Sequence, residues 1–220
     1  MPDVPDGELC RRYADLYTGL VADALDDHGY RDQTLDTAIG PVREDMTAAG
    51  LAFPCVGKAN RDVDAEEQMR SFLTMLGDVP EHGMLVIAAN SDDAAQIGEL
   101  TTTALDNRGC RGAVVDGGTR DTGFILDQDY PVFTRYKTPA DSITRWELLD
   151  WDCTAVVGGV EVSPGDVVVG DIDGVTVVPS GVAESVLEAA EAMRDDEDSV
   201  REAIREGRTP IEAYEQYGTF

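Results

Sequence analysis

A chain of 220 residues, of which 42% are hydrophobic, is long enough to bury one sizeable core. It carries 44 acidic residues against 17 Lys and Arg, which gives a formal net charge of −27. So few cations exclude a protein that works by neutralising nucleic-acid phosphates. Because the acids are spread over every segment, they predict the solvated surface of a salt-adapted protein, in which high salt screens the repulsion.

Targeting signals and cysteine pairs are both missing from the sequence. It has no secretory apolar segment at its start and no apolar run of membrane length. The four cysteines, Cys10, Cys55, Cys110 and Cys153, form no C-x-x-C pair. We therefore expect a cytoplasmic protein with reduced thiols that neither spans nor binds a membrane, and we expect Cys110 to be a buried packing residue.

The first part of the chain predicts helices and strands in alternation. Residues 1–8 are rich in Pro and Asp and are expected to be loose. Apolar residues at helical spacing over residues 8–28 then predict two helices, which we expect Gly19 to separate. The next predicted elements are strands at 39–43 and 49–56, a helix at 64–76 and a buried strand at 83–89.

The second half of the chain is predicted to be richer in strands. A short helix or turn is expected after Asp121, and a long amphipathic helix is expected over residues 182–206, with an acidic stretch at 194–198 as a candidate break. A short amphipathic piece follows at 211–217. Short strands between Gly-Gly, Pro-Gly and Asp-Gly turns are predicted at 131–135, 154–157, 160–162, 166–169 and 174–178.

The strongest candidate site lies in the middle of the chain. Small and β-branched residues at 113–115 predict a buried strand, and the pair Gly117-Gly118 predicts that this strand stops there. Arg120 and Asp121 then follow the carboxyl end of the strand, where ligands bind in α/β folds. The guanidinium can hold a carboxylate by two parallel bonds, and the Asp can hold a hard divalent cation. The alternative is a loop in which the two side chains are solvated or paired with each other.

A second acid, Glu99, strengthens this candidate site. Twenty residues separate Glu99 from Arg120, and residues 97–107 predict a helix between them. A helix followed by a strand returns the chain to the same end of the sheet. Glu99, in the first helical turn, is therefore expected to face Arg120 and Asp121.

These residues carry a family resemblance. Residues 90–100 together with 116–121 resemble the 4-hydroxy-4-methyl-2-oxoglutarate aldolase and regulator of ribonuclease activity A (RraA-like) family, whose enzymes carry an acid, twenty residues and then Arg-Asp. Residues 21–25 and 164–179 also resemble the family. The resemblance extends over residues 15–215.

The resemblance implies a fold and an assembly. It predicts one α/β domain over residues 1–220, an α/β/β sandwich of the swivelling type with N-terminal helices and with C-terminal helices in residues 182–220. It also implies a homotrimer or a pair of trimers, with the active site at the subunit interface.

The resemblance implies a reaction as well. The expected activity is that of a class II, metal-dependent aldolase, which cleaves 4-hydroxy-4-methyl-2-oxoglutarate or a related 2-oxo acid to pyruvate and also decarboxylates oxaloacetate. Asp121 would hold Mg²⁺ or Mn²⁺, and Arg120 would bind the substrate and stabilise the developing oxyanion. Glu99 would orient or deprotonate a water held by the ion.

In this family the start of the helix offers its N–H groups to the substrate. The residues implied here are Ile97, Gly98, Glu99 and Leu100, and unpaired donors in the first turn of a helix are suited to this role. The alternative is an ordinary helix start capped by Ser91 or Asp92.

Two other functions remain open at this point. The first is a non-catalytic protein that regulates ribonuclease activity by binding it, although such a protein would not need Glu99. The second is a methyltransferase of menaquinone synthesis, which we rank last because no glycine-rich strand–loop–helix suited to S-adenosylmethionine is present.

Overall fold

The computed structural model describes residues 4–219 and shows a mixed α/β fold. The helices in that range are α1 (Asp6–Ala14), α2 (Thr18–Asp27), α3 (Ala65–Asp78), α4 (Glu99–Asp106), α5 (Thr122–Gln128), α6 (Ala183–Arg205) and α7 (Pro210–Tyr217). The strands are β1 (Gly40–Pro41), β2 (Ala48–Ala59), β3 (Gly83–Ala88), β4 (Ala95–Ile97), β5 (Gly112–Thr119), β6 (Val132–Lys137), β7 (Trp146–Trp151), β8 (Ala155–Val157), β9 (Val160–Val162), β10 (Val167–Asp171) and β11 (Gly174–Val178).

One large sheet forms the centre of the molecule. Its strand order is β1-β6-β5-β3-β2-β10-β11, with β4 beside the end of β5 and β7 beside the end of β2. The inner pairs β2–β3, β3–β5 and β5–β6 are parallel, and the pairs that involve β1, β7, β10 and β11 are antiparallel. Every residue of β3 is buried, as expected for an inner parallel strand covered on both faces.

The sheet curves until its two sides almost meet. Three strands separate β6 from β10, and yet a Cβ on Gly170 of β10 would lie 2.6 Å from the Cζ atom of Phe133 in β6. Twist accumulated over many strands produces such a curl, and a glycine opposite a phenylalanine lets the two sides come close. The β8–β9 hairpin packs inside the curve.

Helices cover the outer faces of the sheet. A first buried cluster lies between the sheet and α3, α4 and α5, and it includes Phe72, Leu85, Leu105 and Ile125. A second cluster fills the inside of the curve, and a third lies under α1, α2 and α6. The fold class predicted from the sequence, with helices at both ends of the chain, is confirmed. Among the described residues, none of the helices is both long and apolar enough to cross a bilayer.

The prediction that β5 stops at Gly117-Gly118 is wrong, because the strand continues to Thr119. Neither glycine has a positive φ angle. A Cβ on Gly117 would lie 2.4 Å from the Oε1 atom of Gln96, and one on Gly118 would lie 2.5 Å from the ring of Tyr136. The two glycines are therefore required by close packing between neighbouring strands.

Several predicted boundaries also shift. Residues 1–3 lie outside the described range, but α1 begins at Asp6, so residues 6–8 are helical rather than loose. The break between α1 and α2 falls at residues 15–17, and Gly19 lies inside α2. The acidic stretch at 194–198 does not interrupt α6, which runs unbroken to Arg205. Strands β4 and β7 are not predicted by the sequence. Strand β4 is only three residues long, and the residues of β7 do not alternate strictly between apolar and polar.

Candidate functional site

The candidate site lies where two neighbouring parallel strands end. Strand β4 runs parallel to the end of β5, so α4 and α5 begin side by side after Ile97 and Thr119. The N–H of Arg120 donates to the carbonyl of Ile97 at 3.1 Å and ties the two strand ends together. The predicted helix over residues 97–107 thus begins two residues late, at Glu99, and Ile97 belongs to β4 with its carbonyl already bonded.

Gly98 lets the two helix starts approach each other. A Cβ at this position would lie 2.5 Å from the Oδ2 atom of Asp121 and 3.0 Å from the Cγ atom of Arg120. The backbone of Gly98 is extended, with φ −152°, so the requirement for glycine is steric. The candidate site therefore depends on a missing side chain at residue 98.

Asp121 adopts a left-handed backbone conformation, with φ 54° and ψ 30°. Asp is among the few non-glycine residues that tolerate this conformation, which costs about 1 kcal/mol or more in most others. Its carbonyl accepts the N–H of Phe124 at 3.0 Å, whereas its carboxylate does not cap α5. The carboxylate is therefore free to face the space beside Arg120.

Arg120 stands between two carboxylates. Its Nε atom lies 3.4 Å from Oδ2 of Asp121, and its Nη1 atom lies 3.5 Å from Oδ2 of Asp141. Both distances exceed those of a charge-assisted hydrogen bond, and the guanidinium makes no hydrogen bond to a side chain or carbonyl in residues 4–219. Its donors remain available for a ligand, and its side chain is 36% exposed.

Glu99 lies in the first turn of α4, as predicted, but its carboxylate does not pair with Arg120. The Oε1 atom accepts the hydroxyl of Thr103 at 3.1 Å and the Nε2 group of Gln128 at 3.3 Å. Gln128 is held in this orientation, because its Oε1 atom accepts the hydroxyl of Thr102 at 2.7 Å. Both donors use the same oxygen of Glu99, so Oε2 has no hydrogen-bond partner among the described residues.

No side chain caps the start of α4. The predicted alternative, a cap from Ser91 or Asp92, is wrong, because the N-cap residue is Gly98 and the Ser91 hydroxyl bonds to Asp93 instead. The first-turn N–H groups of Glu99 and Leu100 therefore have no partner within the helix. They carry the positive end of the helix dipole, which favours an anion there.

Two residues of the site escaped prediction. Asp141 follows β6 in a segment without periodic pattern, and only the fold brings it beside Arg120. Gln96 is 2% exposed, and its Oε1 atom accepts the N–H of Gly118 at 2.9 Å, which holds β4 against β5. Neither residue shows a local sequence signal, since each acts through a contact about twenty positions away.

A cavity of about 190 Å³ opens beside Arg120 and Asp121. Apolar side chains of α3 and α4 line much of it, and its lining also includes Gln96, Gly98, Thr101, Asp141 and Ser142. A second depression is lined by Arg120, Asp121 and Lys137, among others. Arg120 and Asp121 therefore border both.

Neither Arg135 nor Cys110 lines the cavity or the second depression. Arg135 pairs with Asp36 and Asp116, as an ordinary ion-pair partner would. Cys110 is 5% exposed, and burial raises the pKa of its thiol to about 11, so it is a packing residue, as predicted. A thiol with so high a pKa has almost no thiolate at neutral pH and is a poor nucleophile.

Comparisons with known proteins identify the family of this chain. The family model described as RraA-like, Aldolase/RraA, matches residues 18–177. The chain is 30% identical over 214 residues to the Halalkalibacterium halodurans protein named "Putative 4-hydroxy-4-methyl-2-oxoglutarate aldolase", with 94% of this chain and 93% of that protein covered. It is also 30% identical over 214 residues to protein DlpA of Legionella pneumophila, which covers 95% of this chain. The chain spans only 34% of the length of DlpA.

Solved structures share this fold. A structure of Streptomyces coelicolor RraAS2, described as an unusual member of the RNase ES inhibitor RraA protein family, has a TM-score of 0.80 and 26% identity, with 90% of this chain and 98% of that one covered. A structure described as novel cellulases from microbes associated with the gut ecosystem has a TM-score of 0.86 and 33% identity, with 90% and 89% covered. The chain therefore belongs to the RraA-like (Aldolase/RraA) family, as its sequence motifs predict.

Proposed function

We propose that this protein is a divalent-metal-dependent lyase, which cleaves 4-hydroxy-2-oxo acids of the 4-hydroxy-4-methyl-2-oxoglutarate type to pyruvate and also decarboxylates oxaloacetate. The observation behind the proposal is the position of Arg120. Its guanidinium, without a hydrogen-bonded partner among the described residues, faces a cavity beside an uncapped helix start and two carboxylates. The aldolase name of the Halalkalibacterium halodurans relative supports the same reaction.

The carboxylates fit a hydrated divalent ion. Mg²⁺ prefers oxygen ligands, keeps several waters and is bound through one or two carboxylates. Within residues 4–219 no group of three or more His, Cys, Asp or Glu could hold a metal, so a fully protein-coordinated ion does not fit here. Asp121 would hold Mg²⁺ or Mn²⁺, with Asp141, the other carboxylate beside Arg120, as a candidate second ligand. When bound, the ion would supply an electron sink for the charge that develops on the keto oxygen.

Arg120 and the start of α4 would bind the 2-oxo acid. The guanidinium pairs with the substrate carboxylate, and the N–H groups of Glu99 and Leu100 donate to its oxygens. During cleavage the C3–C4 bond breaks and its electron pair moves onto C3 and the C2 oxygen, which gives the enolate of pyruvate. Arg120 stabilises the negative charge on that oxygen. The enolate is then protonated at C3.

Glu99 would act as the base. Its Oε2 atom, which has no partner among the described residues, takes a proton from a water molecule, and that water takes the proton of the substrate's 4-hydroxyl as C4 becomes a carbonyl. Thr103 and Gln128 hold the other carboxylate oxygen and so fix the direction of Oε2. In oxaloacetate no hydroxyl has to be deprotonated, because carbon dioxide leaves directly.

Asp121→Asn tests the proposal without disturbing the backbone, because Asn also tolerates the left-handed conformation. We expect wild-type protein in high salt to release pyruvate from oxaloacetate with Mg²⁺ or Mn²⁺ above the metal-only background, and EDTA to stop the release. The variant should lose at least about a hundredfold in metal-dependent turnover, since a carboxylate ligand becomes a neutral amide.

Asp129→Asn is the matched control. Asp129 is also an exposed Asp with φ 57°, at the other end of the same helix. Its substitution should leave turnover unchanged. Equal activity of Asp121→Asn and wild type would rule out Asp121 as the metal ligand, and absence of any metal-dependent release from oxaloacetate and from aldol substrates would rule out the lyase.

The alternative is a non-catalytic regulator that binds a ribonuclease. The description of the Streptomyces coelicolor relative as a member of an RNase inhibitor family favours it. If the folded wild-type protein shows no turnover of oxaloacetate or aldol substrates and inhibits a ribonuclease E-type enzyme, this function is supported instead.

We also propose that the chain assembles as a homotrimer or a pair of trimers. The site is open on the side of α5, where Phe124 is 66% exposed beside Asp121. Light scattering in high salt should give a mass of three or six chains, and a monomer would contradict the proposal.

A further inference from the structure

Two cations meet in the second depression beside the candidate site. Strand β6 ends at Lys137, and the register of the parallel pair β5–β6 places Lys137 beside Thr119, the residue before Arg120. The N–H of Thr138 donates to the carbonyl of Thr119 at 3.0 Å and holds the two strand ends together. Arg120 and Lys137 therefore line one depression of about 310 Å³, together with Asp121.

The ammonium group of Lys137 is held in place but has no carboxylate partner. Its Nζ atom donates to the carbonyl of Val42 at 3.2 Å, and Val42 is buried. Within residues 4–219 no Asp or Glu forms an ion pair with Lys137, whereas Lys58, the other lysine of the chain, pairs with Glu147 at 3.2 Å. An ammonium group has three donors, so two remain for a ligand.

The two spaces that Arg120 borders differ in charge. Of the described residues, one cation, Arg120, and two acids, Asp121 and Asp141, line the cavity of about 190 Å³. The charged residues described in the lining of the second depression are Arg120, Lys137 and Asp121. An anion is therefore attracted to the second depression more than to the first, and a cation held by Asp121 would increase this attraction.

The second depression also suits a polar ligand in its size and lining. At about 310 Å³ it has about twice the volume of a cavity that holds benzene, so a small dicarboxylate fits. Because Arg120 and Asp121 border both spaces, a substrate whose 2-oxo acid end lies at the start of α4 can extend past them toward Lys137. The uncharged lining residues on that path are Thr119, Thr122, Thr138 and Pro139.

We propose that Lys137 binds the distal carboxylate of the substrate, so that the protein prefers 4-hydroxy-2-oxo dicarboxylic acids to 2-oxo acids with a single carboxylate. This inference rests on the proposed function, because that function places the first carboxylate at Arg120. It adds a specificity-determining residue outside the acid–Arg–Asp motif. The distal carboxylate keeps its charge while the C3–C4 bond breaks, so Lys137 contributes to substrate binding and not to the bond-breaking step.

A pair of isosteric ligands tests this specificity by binding alone. In 5-methyl-2-oxohexanoate an isopropyl group replaces the distal carboxylate of 2-oxoglutarate, and neither compound has a 4-hydroxyl group that would allow cleavage. Calorimetry in high salt with Mg²⁺ should show that the wild-type protein binds 2-oxoglutarate at least about tenfold more tightly. Equal binding of the two ligands, or tighter binding of 5-methyl-2-oxohexanoate, would overturn the proposal.

Lys137→Met keeps an unbranched side chain and removes its charge. It should weaken the binding of 2-oxoglutarate at least about tenfold and leave that of 5-methyl-2-oxohexanoate within about twofold of wild type. Lys137→Arg should retain the preference. If Lys137→Met weakens both ligands equally, Lys137 acts on the 2-oxo acid end that they share, and the proposal is wrong.

Lys58→Met is the matched control. It changes the net charge of the protein by the same amount, and Lys58 lines neither the cavity nor the second depression. The preference for 2-oxoglutarate should therefore stay as in wild type. A loss of preference in Lys58→Met as large as that in Lys137→Met would show that overall charge, and not contact with Lys137, selects the ligand.

Turnover separates this inference from the proposed function. With 4-hydroxy-4-methyl-2-oxoglutarate as substrate, Lys137→Met should raise KM at least about tenfold and change kcat little, because it removes an interaction made equally before and during bond breaking. A fall in kcat with unchanged KM would contradict the assigned role. Metal-dependent pyruvate release without the preference for 2-oxoglutarate contradicts the role of Lys137 alone, whereas the preference without any lyase activity contradicts the proposed function alone.

Discussion

At the level of single residues, the site depends on the lack of a side chain at Gly98. The Asp121 carboxylate and the Arg120 side chain occupy the space that a Cβ would need. Gly117 and Gly118 have the same role one strand further into the sheet. Glycines in this part of the chain therefore permit close contacts between neighbouring segments. From the sequence alone, the pair Gly117-Gly118 predicted a turn instead.

Gly98→Ala should damage the site more than the fold. The new methyl group would displace the Asp121 carboxylate by about 1 Å, and a misplacement of that size can cost about a hundredfold in rate. Overpacking of this kind should lower the free energy of unfolding by about 1–3 kcal/mol. Steady-state pyruvate release and urea unfolding measure the two effects.

Gly123→Ala is the control for this substitution. Gly123 lies in the first turn of α5, two residues after Asp121, and a Cβ added to it would meet no atom of the described residues within 4 Å. Turnover and stability should stay close to wild type. Equal effects of the two substitutions would show that contact at residue 98 does not position the site.

At the level of helices and strands, an ion pair links the two ends of the chain. The Nε atom of Arg12 in α1 donates to Oε1 of Glu191 in α6 at 2.9 Å, and both side chains are about three-quarters buried. The hydrogen bond from Arg12 lowers the pKa of Glu191 below its ordinary value. The charged carboxylate therefore stabilises the folded state at neutral pH.

Glu191→Gln should lower the free energy of unfolding by about 1 kcal/mol at pH 7. The pKa of Glu191 is lowered in the folded state. Its contribution to the free energy of unfolding is therefore fully present above the ordinary pKa of a glutamate, and it is lost as the pH falls through the pKa that Glu191 has in the folded protein. The difference between variant and wild type should thus disappear in acid. Urea unfolding from neutral pH down into the acid range measures it.

Glu66→Gln serves as the control, because Glu66 and Arg70 form an exposed pair within α3. Exposed pairs contribute little, so no measurable change is expected at any pH. If Glu191→Gln lowers the free energy of unfolding equally at neutral and at low pH, packing and not charge is the source of the contribution.

For the molecule as a whole, stability is expected to depend on its net charge of −27. In dilute buffer, repulsion among the acidic side chains should destabilise the folded state. The screening length falls from about 10 Å at 0.1 M salt to about 3 Å at 1 M. We expect the midpoint of thermal unfolding to rise by about 10 °C over this range in NaCl.

Sucrose at matched osmolality separates charge screening from general stabilisation, because it does not screen charges. It should raise the midpoint much less than NaCl does. An equal rise in both would contradict the interpretation of the acidic surface as a salt-dependent one.

Local sequence patterns were enough to establish several elements and the motif that identifies the family. The apolar run of β3 and the helical spacings of α3 and α6 are local signals, and the acid–Arg–Asp spacing singled out Glu99, Arg120 and Asp121 as one candidate site. Apolar periodicity works at this level because burial of one face is decided within a few residues.

The contacts that shape the site emerged only from the packed fold. Folding brought Asp141 beside Arg120, turned Glu99 toward Gln128, and continued β5 through its paired glycines. It also placed apolar side chains of α3 in the same cavity as Arg120 and Asp121. Each of these depends on atoms from distant segments meeting in space, and a linear pattern carries no record of the distance between them.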